Sequence, residues 1–477
     1  MKQLTTLFLH AALLALPALC VAAENVFLTT AEDGSTIARN AAGEVLWQRF
    51  NTDSADVAHA LMPRSAAPSS AAMPSWDPLT TLDSTPPSYL RGPVFDSLGN
   101  AWVVINNSVN LVAIQSSSAS GTWKAPHIIG PALPNATYTV GVAVDQAGGF
   151  YVTYGTGQPG ASSHPLMWTK YTPAGGWKAP ALIYDSPYDF NETFPVIDST
   201  GRVVVVFNGN GISSIASNPA QSSWGNVQTI APRWRSPILP SVAGNKSGTR
   251  LALVYLQSQR GLRYCFFNST TGQWDPEIPV PDSEKASFTS YSVENAFPLA
   301  VDEAGNVTVV CMMTRALRYT IGGFRYEAGQ WTVKELLPLS RSSPEIATFG
   351  NIALNPNGTV LVAVPNYDGQ TGVNISVFRY TPGQGWNTET AANYDAGGDS
   401  RCKVAWFQST EAVVVYKDYS VNPPLLRAAL HSNGAWGSGP AIPGNFPDAS
   451  PFLAGAPSGE ALLGMAIEGI YVTWLRP

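Results

Sequence analysis

Short apolar runs alternate with turn residues along most of the chain, and no segment carries the long apolar stripe of an amphipathic helix. One recurring segment reads PVFDSLGNAWVV at 93–104, VAVDQAGGFYVTY at 142–154 and PLAVDEAGNVTVVC at 298–311. In each copy an Asp can bond the backbone of the turn and a Gly can adopt positive φ, and a second apolar run follows. The pattern predicts two antiparallel strands joined by a tight turn in every copy.

A tryptophan that follows a Gly- or Ser-rich turn is the second recurring feature. FRYEAGQW at 324–331 and FRYTPGQGW at 378–386 place it after a third strand, so that it opens a fourth. Four short strands in a period near 50 residues are typical of a β-propeller blade. We expect these tryptophans to pack between neighbouring blades. The eight copies, about 51 residues apart on average, are Trp76, Trp123, Trp177, Trp224, Trp274, Trp331, Trp386 and Trp436.

The two ends of the repeat predict how the ring closes. After Trp436 the chain supplies three strands without a fourth, whereas Trp76 opens a fourth strand with no blade before it. Pairing of the N-terminal strand with the C-terminal strands would complete an eighth blade and leave no open edge. The sequence therefore predicts an all-β, eight-bladed propeller of four-stranded blades over residues 76–477. Seven blades is the alternative, if a weak repeat near 241–254 or 403–416 is irregular.

Residues 1–75 lie outside the repeat. Residues 1–23 have one lysine, an apolar run, and small residues at Val21 and Ala23, which predicts a secretory signal peptide. A membrane anchor is the alternative, but the apolar run is short and lacks a basic flank. We interpret 24–75 as an N-terminal segment with a hairpin over 35–50 and a linker. The protein is expected to be secreted or periplasmic after cleavage near Ala23, without membrane insertion.

Composition and charge narrow the range of partners. Only 13% of residues are charged and the net charge is −6 without a basic run, which argues against nucleic acid. The histidines are scattered, and no dinucleotide or phosphate-binding motif occurs, so we expect no metal and no cofactor. The cysteines outside the signal peptide, Cys265, Cys311 and Cys402, are interpreted as buried thiols with at most one disulfide. A monomer is expected.

The Val-Asp-x-x-Gly-Asn turn together with the Gly-Trp-x-x-Pro strand resembles the secreted bacterial β-propellers with BNR-type, sialidase-like or fucose-lectin-like repeats. The resemblance covers 76–477 and implies the architecture. The sialidase box has a leading Ser, which is absent here, and only Trp102 stands at its Trp position. Fucose lectins repeat an arginine with an acid and a tryptophan. The third-strand arginines Arg263, Arg325, Arg379 and Arg427 match the first of these, but no acid recurs with them.

Aromatic and charged residues concentrate in the loops between blades, on the face where propellers bind ligands. Arginine suits a carboxylate or sulfate, an aromatic ring suits a sugar ring, and a pair of acids suits glycoside hydrolysis. Arg91 is one of the arginines that could bind such an anion. His164 is interpreted as a surface histidine rather than a catalytic base. The candidate ligand-binding residues are Arg233, Trp234, Arg235, Tyr188, Asp189, Glu192, Tyr291, Glu294, Arg341, Tyr394, Asp399 and Arg401.

Two classes of function remain open. The first is a secreted or periplasmic binding protein that recognises a glycan or a protein partner through loops on one face. The second is a polysaccharide-active enzyme, a glycoside hydrolase or a lyase, with a central funnel lined by Arg, Tyr and acids. Irregular loops on a regular scaffold favour one central site, which we expect in the blades around Trp177 to Trp386. The lack of a catalytic motif favours binding, and no catalytic residue is assigned.

Overall fold

The structure, a computed structural model, describes two units of the chain, which lie within residues 1–73 and 74–477. In the first unit it describes three strands, β1 (Phe27–Thr30), β2 (Thr36–Arg39) and β3 (Val45–Arg49), which pair antiparallel in that order. The hairpin predicted over 35–50 is therefore present. In the second unit it describes all residues except 86, 118–120, 134–139, 158–160, 191, 234–236, 258–259, 285–296, 316–317, 339–350, 368–372, 395–401, 409, 445–449 and 467–468.

The second unit contains eight antiparallel sheets, blades 1 to 8, each with its strands side by side in the order shown. Blade 1 comprises β6 (Pro87–Phe95), β7 (Ala101–Asn107), β8 (Asn110–Gln115) and β9 (His127–Pro131). Blade 2 comprises β10 (Val140–Val144), β11 (Phe150–Gly155), β12 (His164–Thr172) and a split fourth strand, β13 (Gly176–Trp177) and β14 (Ala181–Ser186). Blade 3 comprises β15 (Glu192–Ile197), β16 (Val203–Gly209), β17 (Gly211–Ala216) and β18 (Gln228–Pro232). Blade 4 comprises β19 (Pro237–Gly244), β20 (Leu251–Gln257), β21 (Gly261–Asn268), and the split pair β22 (Gln273–Trp274) and β23 (Ile278–Pro279).

The other four blades follow the same plan. Blade 5 comprises β24 (Leu299–Val301), β25 (Val307–Arg315), β26 (Arg318–Glu327) and β27 (Gln330–Pro338). Blade 6 comprises β28 (Ile352–Leu354), β29 (Val360–Tyr367), β30 (Val373–Thr381) and β31 (Gly385–Tyr394). Blade 7 comprises β32 (Cys402–Phe407), β33 (Glu411–Asp418), β34 (Leu425–Ser432) and β35 (Ala435–Ser438). Blade 8 comprises β36 (Ser450–Gly455), β37 (Ala461–Ala466), β38 (Ile470–Arg476) and the N-terminal strands β4 (Ser75–Trp76) and β5 (Thr80–Asp83).

The first strands of the blades contact one another in ring order, from β6 through β10, β15, β19, β24, β28 and β32 to β36, which contacts β6. The predicted all-β, eight-bladed propeller is thus confirmed. The seven-bladed alternative is wrong, because the stretches near 241–254 and 403–416 form the first hairpins of blades 4 and 7. Within the described part of the chain there is no α-helix, and hence no helix able to span a membrane.

A repeated turn joins the first two strands of a blade. In blade 1 the Asp96 Oδ1 accepts hydrogen bonds from the backbone N–H of Leu98 (3.0 Å) and Asn100 (2.9 Å), and Gly99 adopts φ +79°. A carboxylate that satisfies these N–H groups and a residue free to adopt positive φ make the turn tight. Equivalent turns use Asp145, Asp198, Asn245, Asp302 and Asn355.

Each of the eight repeated tryptophans packs in the apolar cluster between its own blade and the preceding one, as predicted. Trp274 is 3% exposed, and its Nε1–H donates to Ser214 Oγ of blade 3 (3.0 Å). Trp436 donates similarly to Glu389 Oε2 of blade 6 (2.7 Å). Each indole therefore belongs to two blades. From the boundary between blades 8 and 1 round the ring to that between blades 7 and 8, the tryptophans are, in order, Trp123, Trp177, Trp224, Trp274, Trp331, Trp386, Trp436 and Trp76.

All three cysteines described, Cys265, Cys311 and Cys402, are buried and unpaired, as expected. Burial raises the pKa of Cys402 to about 12, and it raises the pKa of the other two thiols as well. The thiols stay protonated at neutral pH and act as small apolar side chains.

The ring closes where the N-terminal strand pairs with the last strand, as predicted. In this closure seam Trp76 lies opposite Leu475, and Asp77 N–H donates to Trp474 O (2.8 Å). Arg476 ties the seam further, because its Nε lies 3.0 Å from Asp77 Oδ2 and its Nη1 lies 3.1 Å from Glu460 Oε1. One guanidinium thus connects the first described strand of the propeller with β37 and β38.

Replacing Arg476 with alanine should lower the free energy of unfolding by about 1–3 kcal/mol, since both carboxylates lose a half-buried partner. Hydrogen exchange should show that protection falls first at the amides of β4 and β5. Arg476→Lys keeps the charge but lacks the second nitrogen that contacts the other carboxylate, so it should lower the free energy of unfolding by an intermediate amount. Equal loss of protection in all blades, or none, would argue against a seam held by Arg476.

Candidate functional site

The antiparallel order of each blade divides its loops between two faces. Turns between the first and second strands, such as that of Asp96, lie on the turn face. Loops between the second and third strands, and loops that lead to the next blade, lie on the opposite face, called the loop face. The predicted ligand-binding residues that the structure describes belong to the loop face or to strand ends beside it.

The structure describes four of those predicted residues, Tyr188, Asp189, Glu192 and Arg233. The first three lie together where blade 2 leads into blade 3, and Arg233 is exposed after β18. The remaining predictions lie outside the described residues, apart from the backbone of Tyr394 at the end of β31. They are Trp234, Arg235, Tyr291, Glu294, Arg341, Asp399 and Arg401.

Among the described residues, Glu192 is a carboxyl group whose pKa lies well above its usual range. It begins β15 opposite Asn208 of β16, and only 3% of its surface is exposed. Its Oε2 is buried without a hydrogen-bond partner among the described residues. Burial raises the pKa of Glu192 to about 7, although the positive charge of Arg91 opposes this rise. The group therefore exists as a mixture of acid and carboxylate at neutral pH.

Arg91, in the first strand of blade 1, supplies that opposing charge. Its Nε donates to Val140 O at the start of blade 2 (2.9 Å), and its side chain is half-buried. Position 141, in the first strand of blade 2, is a glycine that lies close to the first strand of blade 3. A Cβ on Gly141 would stand 2.3 Å from Thr193 O and 2.4 Å from Pro195 Cδ. The glycine thus allows the first strands of blades 2 and 3 to approach each other closely.

His164 and Asp189 form a second pair on the same face. His164 Nδ1 lies 3.5 Å from Asp189 Oδ1, and its Nε2 lies 2.9 Å from Ala161 O. A carbonyl oxygen only accepts, so Nε2 carries a hydrogen and Nδ1 faces the carboxylate. The interpretation of His164 as a surface histidine is wrong, because the residue is 3% exposed. Its ring lies between its own loop and the loop that leads to blade 3, which its Gly/Ser-rich sequence context did not reveal.

The exposed part of the cluster is formed by Tyr188 and Asp189. Tyr188 is 49% exposed, and its backbone N–H donates to Ser186 Oγ (3.0 Å), which holds the loop. The Asp189 side chain is 46% exposed and rests against His164. An aromatic side chain and a carboxylate, four and three residues before the buried Glu192, are thus exposed to solvent. The loop-face cluster consists of Arg91, His164, Tyr188, Asp189 and Glu192.

The third-strand arginines do not form a repeated ligand site. Arg325 pairs with Asp302 of the repeated turn (2.6 Å), and Arg379 pairs with Glu389 of the fourth strand (2.9 Å). Arg427 pairs with Asp418 of the second strand. Each arginine takes its acid from a different strand or turn, so these pairs hold the blades together. Within the described ranges, no group of three or more His, Cys, Asp or Glu is arranged to hold a metal ion.

No protein-family model matches the chain, and no curated protein matches it by sequence. Similar solved structures include a fungal alcohol oxidase of the AA5 family in complex with copper (12% identity, 85% of this chain, 76% of that chain, TM-score 0.46). A PL25 ulvan lyase bound to -[GlcA(1-4)Rha3S]- has 10% identity over 74% of this chain and 96% of its own (TM-score 0.45). The Dos1 propeller has 8% identity over 84% and 95% (TM-score 0.44). Similarities of this size assign no function to the chain.

Glu192→Gln should remove a pH dependence of stability. The folded-state pKa near 7 exceeds the ordinary 4.5, so the neutral acid stabilises the fold below pH 4.5 and this contribution is lost as the pH rises through 7. Denaturant unfolding from about pH 4 to pH 9, a range that includes both the ordinary and the raised pKa, should show the loss in the wild type and a flatter profile in the variant. Glu284→Gln, at an exposed carboxyl, should behave as the wild type. Identical profiles for all three proteins would contradict a raised pKa at Glu192.

Proposed function

We propose that the protein is a β-propeller binding protein that recognises a glycan through the loop-face cluster of blades 1 to 3. The observation that carries the proposal is the half-exposed Tyr188 ring beside the half-exposed Asp189 carboxylate. Sugar rings stack their apolar C–H faces on aromatic side chains, and their hydroxyl groups donate to carboxylates. This pair offers both kinds of contact on one short loop.

A single asymmetric site fits the cluster better than a series of equivalent pockets. A lectin with one pocket at each blade boundary needs the same residues at each boundary. Arg325, Arg379 and Arg427 are instead joined to acids at three different positions. The glycan is therefore proposed to bind at blades 1 to 3 only. A protein partner, if that is the ligand, would bind at the same blades.

The proposal extends to where the protein acts. Cleavage near Ala23 would release a monomeric propeller into the periplasm or the medium, as in the secreted bacterial propellers that the turn and Gly-Trp pattern resembles. Glycans of the cell surface or of the surroundings would then be its natural ligands.

A polysaccharide-active enzyme is the second candidate, and Glu192 is the observation that favours it. Burial raises the pKa of this carboxyl to about 7, so a large share of it keeps a proton at neutral pH. A carboxyl group of that kind can serve as a general acid in glycoside cleavage. Asp189 would supply the second carboxylate that such chemistry needs.

The test is retention of a panel of neutral and acidic polysaccharides by the full chain and by Tyr188→Ala. Loss of the stacking ring should weaken binding by about tenfold or more, on the order of 1–3 kcal/mol for a fully used aromatic contact, without loss of stability. Leu98→Ala is the matched control, because Leu98 is 61% exposed but lies on the turn face.

Release of reducing ends or unsaturated products by the same samples decides between the two candidates. Retention without release supports the binding protein, whereas release that disappears in Glu192→Gln supports the enzyme. Unchanged retention in Tyr188→Ala would overturn the proposed site, and binding of no glycan would overturn the proposed function.

A further inference from the structure

We propose that His164 and Asp189 bind a divalent transition-metal ion, zinc or an ion of similar chemistry, between His164 Nδ1 and Asp189 Oδ1. The site lies on the loop face, where the start of β12 meets the loop that leads from blade 2 to blade 3. The metal site does not require that the protein binds a glycan. A role of the ion in holding a glycan rests on the proposed function.

The imidazole of His164 presents an unpartnered nitrogen to Asp189. Its Nε2–H donates to Ala161 O (2.9 Å), so the lone pair of the neutral ring belongs to Nδ1. Nδ1 is buried and has no hydrogen-bond partner among the described residues, and the residue is 3% exposed. A buried acceptor without a donor is unfavourable, and here it faces a second acceptor, the carboxylate. A cation between the two would satisfy both.

The separation of the two side chains fits two ligands of one ion. Asp189 Oδ1 lies 3.5 Å from His164 Nδ1, whereas a charge-assisted N–H···O bond is about 2.7–2.9 Å long. Zinc binds imidazole nitrogen at about 2.0–2.1 Å and carboxylate oxygen at about 2.0–2.2 Å. Ligands at these distances and at a tetrahedral angle are about 3.4 Å apart. The observed spacing therefore leaves room for the ion.

Gly157, in the loop after β11, leaves the position beside Nδ1 open. A Cβ on this residue would stand 2.1 Å from His164 Nδ1 and 2.7 Å from its Cγ. That is close to the distance at which zinc binds imidazole nitrogen. A side chain at position 157 would therefore compete with an ion for the space next to the ring, and the glycine avoids this.

The donor set indicates the class of ion. Imidazole nitrogen suits zinc, copper and nickel, whereas calcium and magnesium prefer oxygen ligands alone. A metal-binding histidine usually donates its other N–H to a carboxylate or a backbone carbonyl, and the bond from His164 to Ala161 O is of this kind. The scattered histidines of the sequence argue against a multi-histidine site, but this site uses one.

Two protein ligands leave coordination positions for water or for a bound molecule. The Asp189 side chain is 46% exposed, so these positions open towards solvent. They lie beside Tyr188, whose ring is the proposed stacking surface for a sugar. Hydroxyl or carboxylate oxygens of that sugar would then complete the coordination of the ion.

The experiment is calorimetric titration of Zn²⁺ into the chelator-treated full chain. Asp189→Asn should weaken binding by at least about tenfold, since loss of an outer partner of a ligand already costs about 10–100-fold in affinity. Asp185→Asn is the matched control, because this exposed carboxylate accepts a hydrogen bond from Ser163 Oγ (2.7 Å) and lies four residues earlier. The control should bind Zn²⁺ as the wild type does.

Nitrogen-15 NMR of the imidazole gives a second readout. At about pH 8, above the ordinary histidine pKa of about 6.5, Nδ1 of the metal-free protein should carry no hydrogen. Zn²⁺ should shift the Nδ1 resonance of His164 and leave the hydrogen on Nε2. His164→Gln should abolish zinc binding, and Gly157→Ala, which fills the space at Nδ1, serves if that variant fails to fold.

Three results would overturn the metal site. They are no zinc binding by the wild type, zinc binding that is unchanged in Asp189→Asn, and a hydrogen on Nδ1 at about pH 8, which would mean that a proton joins the two side chains. Glycan retention together with any of them would leave the proposed function intact. Zinc binding without retention of any glycan would uphold the metal site and contradict the proposed function.

Discussion

The pairing of β4 with β38 is the interaction on which the rest of the ring depends. It joins residues almost 400 positions apart, for Asp77 and Arg476 are 399 residues apart in sequence. Closure of so long a loop is entropically unfavourable until all eight boundaries can form together. Once formed, it pairs β38, which would otherwise be the unpaired edge of a three-stranded blade, and it holds the first strands at a fixed spacing. The hydrogen bond from Arg91 of blade 1 to Val140 O of blade 2 depends on that spacing.

The inner ring is also held by polar contacts from blade to blade. Asn351, before blade 6, donates to Leu453 O of blade 8 (3.1 Å) and accepts from Val404 N–H of blade 7 (2.7 Å). Ser241 Oγ of blade 4 donates to Phe297 O before blade 5 (2.9 Å). These bonds satisfy main-chain groups that first strands cannot share with a neighbouring sheet. The bond from Arg91 Nε–H to Val140 O, which joins blade 1 to blade 2, belongs to this series.

The fold could be predicted from the sequence because its determinants are local and repeated. The Asp96 turn and the Trp274 hairpin each follow from a few adjacent residues, and a period near 50 then implies the ring. The candidate site could be predicted only in part. Tyr188, Asp189 and Glu192 stand close together in the chain, but His164 meets Asp189 from 25 positions away. The charge of Arg91, which acts on Glu192 from another blade, is not contained in any local pattern.

The shared tryptophans bear on how such a ring can change in size. Trp274 belongs to blade 4 by chain and to blade 3 by its hydrogen bond to Ser214. Every boundary therefore has one half that supplies an indole and one half that receives it. A duplicated segment that is not a whole number of periods long would create a boundary with two indoles or with none. Only a whole period supplies both a tryptophan and the blade surface against which the next tryptophan packs. Duplication or loss in evolution is therefore constrained to complete repeats, whatever the loops carry.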